Sequence, residues 1–159
     1  MDTCGTQSGP LGTRRTRRGR HSVRYAAYHV ITSSLNREPV FNDFAAARIL
    51  IRTLRREQDA DHVMSLAFVV MPDHMHWLVQ LKSDRTLSDI MDTMKSRSAR
   101  QINRHLRRRG PLWQRGFWDR AVRQDEDLLA IARYIVANPL RAGLVKLPGG
   151  YPHWDSIWV

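Results

Sequence analysis

The sequence predicts an α+β domain of the ferredoxin-like type: an antiparallel sheet with helices on one face, plus an added C-terminal helix. Three observations predict it. The elements run strand, helix, strand, strand, helix, strand before the last helix, which is the split βαβ order. The run from His74 to Leu81 alternates cleanly, with Met75, Trp77, Val79 and Leu81 on one face and His74, His76, Leu78 and Gln80 on the other, as in a strand buried against a core. Two longer stretches carry apolar residues at helical spacing instead.

Residues 1–20 are mostly Gly, Ser, Thr and Arg with little apolar content, ending in an arginine-rich run from Arg14 to Arg20. Such a segment buries too little to order itself, so a disordered basic tail is expected, with residues 21–159 forming one domain. A flexible arm on a phosphate backbone and a merely solvated tail are both compatible with it. Val23 to Thr32, rich in Tyr and Val, reads as the first strand. Asn42 or Asp43 can cap a helix running through Phe44, Ile49, Ile51 and Leu54 to about Gln58. Leu66 to Met71 is an unbroken apolar run, fit for a central strand, and Pro72-Asp73 suits a tight turn into its antiparallel partner at His74. Thr86 can cap a helix from Leu87 to about Arg108, with an apolar stripe of Leu87, Ile90, Met91, Met94, Ile102 and Leu106. Gly110-Pro111 breaks it, and Phe117 to Arg123 is a further strand. Asp125 or Asp127 opens the last helix, which Pro139 is expected to end. On that helix Leu128, Ala132 and Ile135 face the core, Ile131 flanks them, and Tyr134 and Asn138 lie further round the same flank.

Composition narrows the partner. Lys and Arg number 26 against 15 Asp and Glu, a net charge of +11, and nearly all the cations are arginine. Arginine forks pair with phosphate and stack on bases, so nucleic acid is the expected partner. An anionic membrane surface is the weaker alternative, because no basic helix also carries a broad aromatic face. No apolar run approaches the roughly 20 residues of a membrane span, and the basic, polar start does not read as a secretory leader. The single cysteine, Cys4, excludes a disulfide within the chain and fits a reducing cytoplasm.

The sharpest chemical signal is His74-Met75-His76. Residues two apart on a strand share a face, so two imidazoles can aim at one point, as a metal ion requires. Tyr134 and Asn138, one helical turn apart, add a phenol and an amide on one helix flank. With Tyr28-His29-Val30, Met71-Pro72-Asp73-His74-Met75-His76, the Pro111 to Phe117 stretch and the Arg133 to Val145 stretch, the chain resembles the REP-associated tyrosine transposases. More broadly it resembles the HUH single-strand DNA transposases with one catalytic tyrosine. The resemblance covers about residues 23–155. It departs at Ser33 and Ser34, where a basic residue is common, and at Trp77, where an aliphatic one is usual.

The resemblance implies Tyr134 as nucleophile and His74, His76 and Asn138 as ligands of Mg²⁺ or Mn²⁺, with zinc second by ligand type. It implies a metal-dependent single-stranded DNA endonuclease and strand transferase, a transposase, that acts on hairpin or repeat DNA through a 5′-phosphotyrosine. It also implies a bacterial cytoplasmic, nucleoid-associated setting and leaves monomer and dimer open. The expected DNA surface is the second long helix and the loop after it: Lys95, Arg97, Arg100, Arg104, Arg107, Arg108, Trp113 and Arg115. Two rivals are a non-catalytic nucleic-acid-binding module of the same fold and a phosphodiesterase that uses water instead of Tyr134.

Overall fold

The computed structural model describes residues 22–123 and 125–158. The basic tail lies outside the described residues. Strand β1 (Ala27–Ser33) is followed by helix α1 (Phe44–Asp59), strands β2 (Val63–Val70) and β3 (His74–Leu81), helix α2 (Leu87–His105) and strand β4 (Trp118–Ala121). Helix α3 (Leu128–Val136), a short helix α4 (Asn138–Arg141) and strand β5 (Trp154–Ser156) complete the order. The sheet runs β4-β1-β3-β2-β5, and every pairing is antiparallel. Strand β3 is the middle strand, and β2, which holds most of the Leu66–Met71 run expected to be central, is an interior strand between β3 and β5.

The helix starts obey the capping chemistry read from the sequence. Asp43, not Asn42, caps α1 through a 2.8 Å bond from the Ala46 amide. Thr86 and Asp89 form a reciprocal capping box at α2, in which each side chain accepts the other's backbone N–H. Asp127 caps α3 by accepting from the Leu129 amide. Helix α2 stops at His105, three residues short of the expected Arg108, because Arg107 turns left-handed at φ 51°. The turn between β2 and β3 is fastened from outside: Ser34 donates both its amide and its hydroxyl to the Asp73 carbonyl, at 2.9 and 3.0 Å.

The sheet has a core on each face. On one, α1 and α2 cover Val30, Val70, Met75, Trp77, Val79 and Leu81. Trp77 is fully buried there, and its indole N–H donates to the Ser65 hydroxyl at 2.9 Å, which accommodates the bulk noted at this position. On the other face α3 lays Ala132 and Ile135 against Ala27, Ala67, Val69, Met71 and Leu78. Helices therefore share one face for α1 and α2, while the added helix α3 lies across the opposite face. Pro139 does not simply end α3. The helix closes at Val136 and a new turn begins at Asn138, with Pro139 in its first turn, where a missing N–H costs nothing. Strand β5 was not expected from sequence: three residues are too few for a periodic signal.

Replacing Trp77 by alanine removes the largest fully buried side chain of this core and leaves the Ser65 hydroxyl without its indole partner. Urea unfolding followed by circular dichroism is expected to show a loss of about 3–5 kcal/mol. A loss below about 1 kcal/mol would mean that Trp77 does not hold β3 against the helices.

Candidate active site

On the α3 face of the sheet, β3 presents His74 and His76, as its alternation requires. Each imidazole is held by its Nδ1. His74 Nδ1 bonds Asp73 Oδ1 at 2.6 Å, and His76 Nδ1 bonds His29 Nε2 at 3.0 Å. Neither Nε2 atom has a hydrogen-bond partner among the described residues, which leaves both for a ligand. The two rings lie 5.2 Å apart at 65°. If His76 offers a lone pair at Nε2, its proton sits on Nδ1 and is donated to His29. His29 must then carry its own proton on Nδ1, and its Nε2 accepts. His29 thus supports His76 from behind, as outer partners of ligating histidines do. Tyr28-His29-Val30 belonged to the sequence signature, but this role needs the β1–β3 register, which sets His29 diagonal to His76.

Tyr134 and Asn138 come from the α3–α4 junction. Tyr134 is about half exposed (48%), and the guanidinium of Arg141 lies 3.9 Å from its ring centroid. Asn138 commits its Nδ2 to the Tyr134 and Ile135 carbonyls at 3.2 and 2.9 Å. Its Oδ1 is left with one long 3.4 Å contact from Arg141, so the oxygen rather than the nitrogen is the group on offer. Among the described residues no cluster of three or more His, Cys, Asp or Glu is placed to hold a metal. A third protein donor to a metal held by the two imidazoles would therefore be of another type, and an amide oxygen is one that Mg²⁺ and Mn²⁺ accept.

The charges around the pair come from residues that sequence reasoning did not single out. Arg37 salt-bridges Asp73 at 3.0 Å and donates to the Ser33 hydroxyl at 2.8 Å. It brings a cation to the place where the sequence has serines. Its left-handed backbone (φ 57°), beside Asn36 at φ 54°, aims it there. Burial first, then the charges of His74, His29, Arg141 and Arg37, pushes the His76 pKa from 6.5 to about 3. Burial and Arg120 push His29 to about 4. Both rings are neutral near pH 7, the form that can bind a metal.

The expected DNA surface is divided by the structure. Arg100, Arg104, Arg107 and Arg115 are exposed. Arg97 reaches the buried carboxylate of Glu57 at 3.7 Å, and Arg108 pairs with Glu38 at 2.8 Å. Lys95 donates to the Gln114 and Gly116 carbonyls, both at 2.7 Å, and so holds the loop before β4. Trp113 requires correction as a base-stacking residue. It is buried (7% exposed), packs on Phe41 at 5.4 Å and donates its indole N–H to Ser98. Its loop pairs with the end of β1, through Ser34 opposite Trp113, which turns the ring inward. The α2 arginines also belong to the layer on the far side of the sheet from His74 and His76.

The depressed histidines have a stability consequence. Unfolded, both rings take up protons near pH 6.5; folded, they resist until about 4 and 3. Stability from this source is complete above about pH 6.5 and is lost as the pH falls below it, with a slope of up to roughly 2–3 kcal/mol per pH unit for two protons. Urea midpoints measured from pH 7 to 5 are expected to drop more steeply in the wild type than in His76→Asn. Equal slopes would show that the pair is not buried neutral.

A family model described as "Transposase IS200 like" matches residues 22–138. A REP-associated tyrosine transposase of Escherichia coli (strain K12) is 34% identical over 89 residues, covering 54% of this chain and 50% of that protein. A relative from Haemophilus influenzae is 31% identical over 99 residues, 56% of each chain. The chain thus spans about half the length of the curated relatives it matches. A REP-associated tyrosine transposase solved bound to a REP hairpin superposes with a TM-score of 0.70 at 23% identity, over 85% of this chain and 79% of that one, so the two share the fold. With the family model spanning most of the domain and the paired histidines on the same sheet face as the tyrosine-bearing helix, the chain belongs to the IS200-like transposase family.

Proposed function

We propose that this protein is a metal-dependent single-stranded DNA endonuclease and strand transferase that acts on hairpin or repeat DNA through a 5′-phosphotyrosine at Tyr134. One observation carries the reading. Two rigidly oriented imidazoles, His74 and His76, lie on the sheet face that α3 crosses, and α3 exposes a phenol beneath an arginine whose charge reaches His76. A passive binding module needs none of this. The rival with bases stacked on strand aromatics also loses its best candidates, since Tyr28 is buried on the α1–α2 face and Tyr25 precedes β1.

In the proposed reaction the Tyr134 oxygen attacks the scissile phosphorus in line and gives up its proton to solvent. The P–O3′ bond breaks, and the departing oxygen takes a proton to become a free 3′-hydroxyl. The 5′-phosphate remains on Tyr134. A second 3′-hydroxyl can then attack the phosphotyrosine, reform a phosphodiester and release the tyrosine, so the bond energy is kept for strand transfer. Mg²⁺ or Mn²⁺, bound by His74, His76 and Asn138, would polarise and orient the phosphate. Arg141 holds the Tyr134 ring by its face and brings positive charge to the reacting phosphate. Asp73 and His29 keep the two imidazoles turned toward it. The exposed arginines Arg100, Arg104, Arg107 and Arg115 would contact phosphates of the hairpin away from the cut. The hairpin preference is supported by the solved relative named for its bound REP hairpin. A DNA substrate would set the work at the bacterial nucleoid. No helix among the described residues is long and apolar enough to cross a membrane.

Tyr134→Phe deletes one oxygen and keeps the ring under Arg141, so folding and DNA affinity are expected to survive while cleavage vanishes. With wild-type protein, a labelled hairpin oligonucleotide and Mn²⁺, a denaturing gel should show a protease-sensitive adduct on the 3′ fragment and a free 3′-hydroxyl on the other. Cleavage by Tyr134→Phe, or wild-type cleavage without an adduct, would make water the nucleophile.

His76→Ala is expected to cut at least about 100-fold more slowly, as loss of metal-borne electrostatic stabilisation does, with hairpin affinity within a few-fold of wild type. EDTA should have the same effect on the unmutated protein. An equal rate in EDTA and Mg²⁺ would remove the metal from the reaction.

A further inference from the structure

The stacking role that Trp113 cannot fill has a better-placed occupant. Pairing sets Trp118 opposite Ile31 and Arg120 opposite His29, so both β4 residues share the sheet face of His76. Trp118 is 43% exposed, whereas Trp113 and Trp77 are buried. It continues a row of rings across the sheet: Trp118 to His29 at 5.4 Å, His29 to His76 at 5.3 Å, His76 to His74 at 5.2 Å. The Trp118–His29 contact is edge-to-face, at 83°. In that geometry at most one of the two indole faces is covered by the neighbour, and the ring is still fixed by it. Strand β4 is an edge of the sheet, so no further strand crowds the ring from its outer side among the described residues.

The charges nearby say what kind of group would sit there. Arg120, next on this face, is held by both oxygens of Glu126 at 2.8 Å, and Glu126 also accepts from the Arg123 amide. That end of the row is locally compensated. Toward His76, Arg37 is likewise paired with Asp73, but Arg141 packs on the Tyr134 ring rather than on a carboxylate and contributes positive charge. A polyanionic strand lying along the row would put its phosphate at the histidines and the arginines, and a flat, less charged group at Trp118. We propose that Trp118 is the stacking platform for one unpaired base flanking the cut. This rests on the DNA-cleaving reading above and adds to it a subsite that selects single-stranded over paired substrate. A base can reach an indole face only when it is not stacked and paired inside a duplex, and the site tolerates sequence because every base has such a face.

The test measures binding of a fluorescent hairpin carrying a single-stranded flank to the full-length Tyr134→Phe protein, with Trp118 intact or changed. Trp118→Ala is expected to weaken binding roughly tenfold, within the range of lost base–aromatic stacking. Trp118→Phe should recover most of it, and a hairpin without the flank should bind all three proteins alike. An abasic residue moved along the flank should weaken binding at one position with Trp118 intact, and cause no further loss at that position in Trp118→Ala. The subsite is overturned if Trp118→Ala binds the flanked hairpin as tightly as the parent, or if abasic and Trp118→Ala losses add at every position. It is overturned together with the DNA-cleaving reading if the parent shows no gain from the flank and wild-type protein forms no covalent adduct. If wild type forms the adduct and only the Trp118 coupling is missing, the stacking proposal alone fails.

Discussion

The antiparallel register between β1 and β3 is the constraint on which the site depends. Side chains alternate along a strand, so a slip of one residue would move every group to the other face. His74 and His76 would then point into the α1–α2 core, and Met75 and Trp77 would meet α3 or water. Met75, Trp77 and Val79 are fully buried, and burying such a side chain is worth about 1.5–3 kcal/mol. The register is therefore fixed by residues that never face the chemistry. The same register sets His29 diagonal to His76 and so couples a third strand residue to the imidazole pair. The functional face is precise because the opposite face is greasy.

Electrostatics adds a second layer of order. His29 and His76 sit in a low-dielectric floor that keeps them neutral, while the cations nearby are each fixed by a non-DNA partner. Arg37 is tied to Asp73, Arg120 to Glu126, and Arg141 to the Tyr134 ring. Asp73 serves twice, because one oxygen orients His74 and the other anchors Arg37. Arginines so anchored would lose little rotamer freedom on meeting a phosphate, which would leave more of the ionic attraction for binding.

Legibility from the sequence followed the range of the interactions. Local chemistry was readable: the caps at Asp43, Thr86 and Asp127, the alternation of β3, and the apolar stripe of α3 that leaves Tyr134 half exposed. The pairing of His74 with His76 needed only the period of a strand. What could not be read depended on distant contacts. Nothing near Trp113 or Trp118 tells which indole faces the core; the β-bridge of the Trp113 loop to Ser34 and the pairing of Trp118 beside Ile31 decide it. The choice of Trp113 for stacking failed for that reason. The role of Arg37 depends on a left-handed turn at non-glycine residues, which carries no sequence warning. Strand β5 exists because β2 offers an edge to it, not because Trp154–Ser156 is a strong strand former.

The two cores also differ in depth, and the difference sets which part of the molecule yields first. Helices α1 and α2 are sewn to the sheet by a continuous body of large side chains, while α3 rests on a smaller patch built around Ala132 and Ile135 and ends at Val136, with the short α4 starting at Asn138. Its amide hydrogens should exchange with solvent by a partial opening that leaves the sheet intact. A strand covalently joined to Tyr134 would pull on this shallowly rooted segment and not on the scaffold. The load of a tethered DNA end would thus fall on a hinge-like strap that can lift and resettle while the histidine floor beneath it keeps its shape.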